Sequence, residues 1–281
     1  MTIVVFGARG SVGRHVLNGL VAAGERVRAA SRSAADLGVE SVVADLDRPE
    51  TLGAALAGAS GAFIYAHPAG VEGFVAAARE AGVRRVALLS SASAARPGAE
   101  QNPIARWHLA VEEALERSGL EWTFVRGGGF ATNTIGLWGP SIRAEGKIRV
   151  PYPDAQSAPV HEADLAALAV AALTGGGLGG KAYVVLGPES LSLRAQAAAI
   201  GAALGREIAV EAVPEDVARE EMRRGLPDLA VTTILRYWAA AGDGPAETSA
   251  VIPEVLGRPA RTFAEWAVDH AADFRGRPET S

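Results

Sequence analysis

The chain contains no cysteine. Disulfides, thiolate nucleophiles and cysteine-ligated metals are excluded with it. Lysine is nearly absent too: Lys147 and Lys181 are the only two, leaving 25 of the 27 basic residues as arginine. Lysine-dependent chemistry is thereby confined to two positions, and the arginine excess, beside so many alanines, reads as compositional bias. Net charge is −5, so no general basic field exists to hold nucleic acid or an anionic membrane. No apolar run reaches the roughly 18 residues of a spanning helix. His15, His161 and His270 are scattered without metal-like spacing to nearby acids, and no metal site is expected. The N-terminus enters an apolar strand at once, without the basic region and cleavage site of a signal peptide, so a cytoplasmic protein is expected.

What is present is ordinary globular material: 281 residues, 49% hydrophobic and 21% charged. That length fits one large α/β domain, or one with a smaller appendage. Ile3 to Phe6 reads as a buried strand, followed by a glycine-rich turn and a helix carrying Val12, Val16 and Leu20 on one face. Further strands are expected at 26–30, 41–44, 62–66, 85–90 and 122–126. Helices are expected between them at 51–57, 71–81 and 104–118. This alternation implies a parallel sheet covered on both faces. The stretch from Gly127 to Pro159 reads as loop, with four prolines from Pro140 on. A helix at 164–173 and a last strand at 182–186 complete the pattern. The expected organisation is a dinucleotide-binding domain over 1–186 and a smaller, mostly helical lobe over 187–281, with 130–160 packing toward that lobe.

The sharpest motif is Gly7-Ala8-Arg9-Gly10-Ser11-Val12-Gly13. It follows a buried strand and opens an amphipathic helix, the context in which glycines let backbone approach a pyrophosphate at a helix N-terminus. An NAD-preferring site commonly has an acid at the end of the second strand, bonding the ribose 2′-OH. Here that place holds Ser31-Arg32. A guanidinium there suits a 2′-phosphate, so NADP(H) is the expected cofactor, with Arg9 adding charge to the same pocket. Asp45 and Leu46 follow the third strand and are expected near the adenine edge, although a simple loop acid reads equally well.

These residues, with Ser90-Ser91, Thr123-x-x-Arg126, Phe130-x-x-Asn133, Val160-x-x-Ala163-Asp164-Leu165-Ala166 and Leu256-Gly257-Arg258-Pro259, appear in an order that resembles the NmrA-like, NAD(P)H-binding branch of the atypical short-chain dehydrogenase/reductase superfamily. The resemblance covers nearly the whole chain. It implies a Rossmann-like, doubly wound parallel sheet with a smaller, mostly helical C-terminal lobe. It is poor for substrate, because the branch includes quinone reductases, isoflavone-reductase-like enzymes and redox-sensing regulators. The superfamily's usual catalytic pair, Tyr-x-x-x-Lys, is absent: four residues beyond Tyr65, Tyr152, Tyr183 and Tyr237 lie Ala69, Gln156, Gly187 and Ala241. Where the pair would sit, Ile104 and His108 stand instead.

Hydride transfer from a nicotinamide asks the protein mainly for orientation and charge stabilisation. Candidates lie at the C-terminal ends of the strands, where open parallel sheets place ligands. They are Tyr65, Ala66 and His67 after the fourth strand, Ser90 at the end of the fifth, and Gly128 and Phe130 after the sixth. His108 is the candidate catalytic residue, as a ribose or acceptor contact; the alternative is a boundary histidine paired with a surface Glu112 at i+4. Its helix is expected to bury Trp107, Val111, Ala114 and Ser118. Leu235, Tyr237 and Trp238 form an apolar helical patch, read as lobe packing or as a pocket wall. The leading expectation is an NADPH-dependent oxidoreductase acting on a small conjugated acceptor (quinone, enone or imine). A non-catalytic NADP(H)-sensing regulator, and an isomerase or lyase on the same fold, are the alternatives. The expected partner is a small-molecule substrate, without nucleic acid or membrane, and homodimerisation stays open.

Overall fold

The computed structural model describes residues 1–33, 36–241 and 244–275. In chain order its main elements begin with β1 (Thr2–Phe6), α1 (Gly13–Ala22), β2 (Arg26–Ser31), β3 (Glu40–Val43), α2 (Leu52–Leu56), β4 (Gly61–Tyr65) and α3 (Pro68–Glu80). There follow β5 (Arg85–Ser91), α4 (Pro103–Arg117), β6 (Glu121–Gly127), α5 (Asn133–Glu145), β7 (Lys147–Val150), β8 (Gln156–Ser157), α6 (Glu162–Thr174) and β9 (Lys181–Val185). The chain closes with β10 (Leu191–Ser192), α7 (Leu193–Leu204), β11 (Ala209–Ala212), α8 (Glu215–Arg223), α9 (Asp228–Ala241), α10 (Val251–Leu256) and α11 (Phe263–Asp269). Among the described residues no helix is long and apolar enough to cross a membrane.

Two compact units result. The first comprises Met1–Gly128, Glu162–Val185 and Ala250–Pro259; the second comprises Gly129–His161, Leu186–Ser249 and Ala260–Ser281. The first unit holds a seven-stranded sheet in the order β3-β2-β1-β4-β5-β6-β9. Every pairing in it is parallel. Ile3, Val4, Val5 and Phe6 of β1 are all buried, as a strand covered on both faces requires. Strand order reverses between β1 and β4, which opens a crevice beyond the carboxyl ends of the strands. The expected Rossmann-like sheet is therefore present, and the strand positions agree with the sequence reading to within a residue or so.

The second unit is mostly helical, with two short pairings, β10 to β8 antiparallel and β11 to β7 parallel. Its core gathers Trp138, Ile142, Val231, Leu235, Trp238, Phe263 and Trp266. The segment expected as loop before Pro159 is corrected here: it holds α5, β7 and β8. Gly136, Gly139 and Pro140 obscure the apolar period, and Pro140 lies inside α5. Helix α5 forms because Trp138 and Ile142 bury against the unit's core, so packing outweighs poor propensity. Tyr237, expected in the apolar patch, is instead 54% exposed, while Leu235 and Trp238 are buried.

Helix α4 differs from its expected face in two places. Val111, Ala114 and Ser118 are buried, but Trp107 is 50% exposed. Its indole N–H donates to the Ala66 carbonyl at 3.0 Å. Glu112, expected at the surface, is 1% exposed. Its carboxylate accepts from Ser90 Oγ at 2.5 Å and from Arg126 Nε at 3.0 Å and Nη2 at 2.5 Å. Carboxylate, hydroxyl and bidentate guanidinium thus tie α4 to the ends of β5 and β6. This hydrogen bonding holds the Arg126 guanidinium above its ordinary range.

A buried carboxylate left without its cation is expensive. Arg126→Met should lower unfolding stability by about 3–5 kcal/mol, whereas Glu112→Leu combined with Arg126→Met should cost much less. Urea denaturation of the two variants checks this; equal losses would mean that the pair carries no coupling.

Candidate functional site

A cavity of about 770 Å³ lies in the first unit, at the carboxyl ends of β1, β2 and β4. Gly7, Arg9, Gly10, Ser11, Val12 and Gly13 form one wall. Ser31, Arg32, Asp45, Leu46, Tyr65 and His67 form the others. The turn is built by close backbone contacts. Gly7 has φ +68°, in the left-handed region that glycine enters without strain. Gly10 N–H donates to the Gly7 carbonyl at 2.8 Å. A Cβ on Gly13 would lie 2.1 Å from that same carbonyl oxygen, so no side chain fits there. A Cβ on Gly7 would meet the Tyr65 ring at 3.0 Å, which shows how closely that ring covers the turn. Helix α1 has no side-chain N-cap. Arg14 N–H donates to the Gly10 carbonyl at 3.1 Å, and the remaining first-turn N–H groups face an anion site at the positive end of the helix dipole.

The charged part of the cavity is asymmetric. Arg32 is exposed, lines the cavity, and has no ion-pair partner among the described residues. Other arginines of the unit are engaged: Arg28 with Glu40 at 2.6 Å and Arg258 with Asp164 at 2.8 Å. Arg9 Nη1 reaches Ser33 Oγ at 3.4 Å, and Ser31 Oγ donates to the Ser33 carbonyl at 2.6 Å. Arg9, Ser31, Arg32 and Ser33 thus form one polar corner at the end of β2. Opposite it, Asp45 accepts the Asp47 N–H at 3.2 Å. His67 Nε2 lies 2.7 Å from Asp47 Oδ1. Burial pushes the Tyr65 phenol above its ordinary value, with Arg32 acting against that rise. Tyr65 is a protonated donor at neutral pH.

Four of the expected cofactor contacts do not line this cavity. Ser90 is 3% exposed and engaged with Glu112. The Ala66 carbonyl accepts from Trp107. Gly128 N–H donates to the Val185 carbonyl at 2.9 Å, continuing the β6–β9 ladder. Phe130 belongs to the second unit, in a bridge with Val160. Ser33 and Asp47, which sequence reading missed, do line it. Ser33 was within reach of the Ser31-Arg32 signal, whereas the Asp47–His67 contact joins two loops that no local pattern links.

His108 sits half-buried on α4, outside the cavity lining. Its Nδ1 is buried and has no hydrogen-bond partner. Burial lowers its pKa below the ordinary value, opposed by the Glu112 charge. The imidazole is therefore neutral at pH 7. Among the described residues there is no cluster of three or more His, Cys, Asp or Glu able to hold a metal.

The residues present fit a dinucleotide: a glycine turn that a Cβ would fill, an uncapped helix N-terminus and an unpaired guanidinium beside them. Comparison with known proteins points the same way. A family model described as NAD(P)H-binding matches residues 7–175. A (4-alkanoyl-5-oxo-2,5-dihydrofuran-3-yl)methyl phosphate reductase of Streptomyces griseus is 38% identical over 283 residues, covering 97% of this chain and 99% of that protein. An NAD(P)H azoreductase of Xenophilus azovorans is 34% identical over 285 residues, with 97% and 99% coverage. Among solved structures, the triphenylmethane reductase of Citrobacter sp. shares the fold, with a TM-score of 0.80 at 23% identity, covering 96% of this chain and 99% of that one.

The glycines separate by role. A Cβ on Gly10 would lie 3.2 Å from the Gly7 oxygen, a contact that small shifts relieve. Gly10→Val should therefore fold, and should lose dinucleotide binding because its methyls occupy the phosphate's approach. Gly13→Val should fail to fold the turn at all. NADPH titration with a parallel thermal melt distinguishes them; a Gly10→Val protein that binds NADPH like wild type would remove the turn from the binding site.

Proposed function

The chain belongs to the NAD(P)H-binding family, and from that premise we propose that it is an NADPH-dependent oxidoreductase reducing a small conjugated acceptor of the quinone, enone or imine type. The observation that carries the cofactor choice is Arg32, exposed at the end of β2, lining the cavity and unpaired, with serines on either side and no carboxylate in contact. The reaction class is supported by two relatives of matching length, both named as reductases.

In this reading the Gly7–Gly13 turn and the N-terminus of α1 hold the pyrophosphate. Arg32 and Arg9, with Ser31 and Ser33, receive the 2′-phosphate. Asp45 and Leu46 border the adenine, and Tyr65 and His67 border the ribose side. When bound, the reduced nicotinamide supplies a hydride, and the acceptor takes up a proton to complete a two-electron reduction. His108 is neutral at pH 7, so a ring N–H can contact ribose or acceptor without adding charge. A small-molecule reductase of this kind is also read as cytoplasmic, and a homodimer is compatible with it. One observation favours a second reading, an NADP(H) sensor: neither Tyr-x-x-x-Lys nor any lysine lies in the cavity lining. Loss of NADPH absorbance against a quinone and enone panel decides. Binding without turnover across the panel would favour the sensor.

Two variants test the residues. A charge-assisted hydrogen bond to a partly exposed phosphate should give NADPH a roughly 10- to 100-fold advantage over NADH. Arg32→Ala should remove most of that preference and leave NADH affinity unchanged, because NADH has no 2′-phosphate. Added salt should weaken NADPH binding more than NADH binding. Equal wild-type affinities would return Arg32 to the solvated surface.

His108→Ala should lower turnover by about tenfold or more, a loss of roughly 1.4 kcal/mol in transition-state stabilisation, with little change in melting temperature. Unchanged turnover would make His108 a helix-boundary residue only.

A further inference from the structure

Tyr65 ends β4 and Arg32 follows β2, with β1 between the two strands. Neighbouring strands lie about 4.8 Å apart, a span that a tyrosine side chain can cross. Tyr65 crosses it. A Cβ on Gly7, which follows β1, would meet the ring at Cδ1 (3.0 Å) and Cε1 (3.1 Å). One edge of the ring therefore lies along the glycine turn. Its hydroxyl is carried over the end of β1, toward the corner that Arg32 occupies.

A chain of contacts steadies the ring. The His67 imidazole lies at a centroid distance of 6.4 Å, tilted by 60°. That imidazole meets Asp47 Oδ1 at 2.7 Å and the Trp107 ring at 6.2 Å. Trp107 in turn is tied to the Ala66 carbonyl. A donor fixed before its ligand arrives loses little freedom on binding.

The hydroxyl itself is uncommitted. It makes no hydrogen bond among the described residues, although the charges of Arg32, Asp45 and Asp47 all act on it. Asp45 accepts from the Asp47 N–H, and Asp47 meets His67; neither carboxylate accepts from the phenol. Tyr65 is 36% exposed and lines the cavity, so its hydroxyl opens into that space. Arg32 beside it can only donate. A group that satisfies both must accept twice, and a phosphate monoester offers several acceptor oxygens.

We propose that the Tyr65 hydroxyl donates to the 2′-phosphate of NADP(H) alongside Arg32, and so helps to set the choice of NADPH over NADH. This deepens the cofactor reading and rests on it. Tyr65 supplies an uncharged donor, whereas Arg32 and Arg9 supply the attraction that salt screens.

The test uses the full chain and two fragments that differ only in the phosphate, 2′,5′-ADP and 5′-AMP. No nicotinamide and no turnover enter the measurement. Tyr65→Phe keeps the ring over Gly7 and removes the hydroxyl. In calorimetric titration it should weaken 2′,5′-ADP about tenfold, the loss of one charge-assisted hydrogen bond, and leave 5′-AMP unchanged. NADPH and NADH should divide in the same way. Tyr65→Leu should lower the ratio of 2′,5′-ADP to 5′-AMP affinity by a similar factor, so the outcome does not hang on the folding of one variant. The salt dependence of 2′,5′-ADP binding should keep its wild-type slope in Tyr65→Phe and flatten in Arg32→Ala, because only the second removes a charge. Wild-type affinity for 2′,5′-ADP in Tyr65→Phe, or an equal loss for both fragments, would overturn the Tyr65 assignment and leave the cofactor reading standing. Wild type that binds 2′,5′-ADP no better than 5′-AMP would instead refute the cofactor reading.

Discussion

The Gly7 carbonyl is the point on which the geometry of the first unit turns. It accepts from Gly10 at 2.8 Å and leaves no space for a Cβ at Gly13. Those two constraints bend the chain out of β1 and start α1 directly above the end of the strand. The helix consequently begins without a side-chain cap, and a capping serine or aspartate there would satisfy the N–H groups that an anion otherwise meets. The Tyr65 ring, arriving from β4 on the far side of the switch point, closes over Gly7. A cavity at the reversal of strand order is thus the joint product of sheet topology and one crowded oxygen.

Charge within the first unit follows from which guanidinium groups have partners. Composition alone gives no reason to single out any arginine from so many. The structure does, because Arg28, Arg126 and Arg258 are each bound to a carboxylate, while Arg32 and Arg9 line the cavity without one among the described residues. Arg126 shows the opposite use of the same side chain. Its planar fork spans both oxygens of the buried Glu112, with Ser90 on the same carboxylate. Ser90, Glu112 and Arg126 come from β5, α4 and β6, so this bidentate contact fixes the helix that carries His108.

Much of this was legible in the sequence because it is local. Buried parallel strands read as short apolar runs, and the glycine turn with Ser31-Arg32 lies within one βαβ unit. What escaped was non-local. Helix α5 contains Gly136, Gly139 and Pro140, and only the burial of Trp138 and Ile142 reveals why it forms. Trp107 continues the spacing of the buried stripe yet is exposed, since its N–H reaches the Ala66 carbonyl on another loop. Glu112 read as a surface acid because its partners lie 22 and 14 residues away in sequence. Ser90, expected near the cofactor, is hydrogen-bonded to Glu112, a partner invisible along the chain.

Unpaired donors carry a related lesson about sites. A fold normally satisfies its buried N–H groups, so each exception asks for a reason. His108 Nδ1 in the first unit, and the indole N–H groups of Trp138 and Trp266 in the second, are buried ring nitrogens without a partner. Packing accounts for both tryptophans, which belong to the second unit's core, Trp266 lying against Phe263, His270 and Phe274. Burial favours the neutral form of His108, and an indole is neutral at any pH. At the end of β2, by contrast, the charge of Arg32 is exposed, lines the cavity and has no carboxylate partner among the described residues.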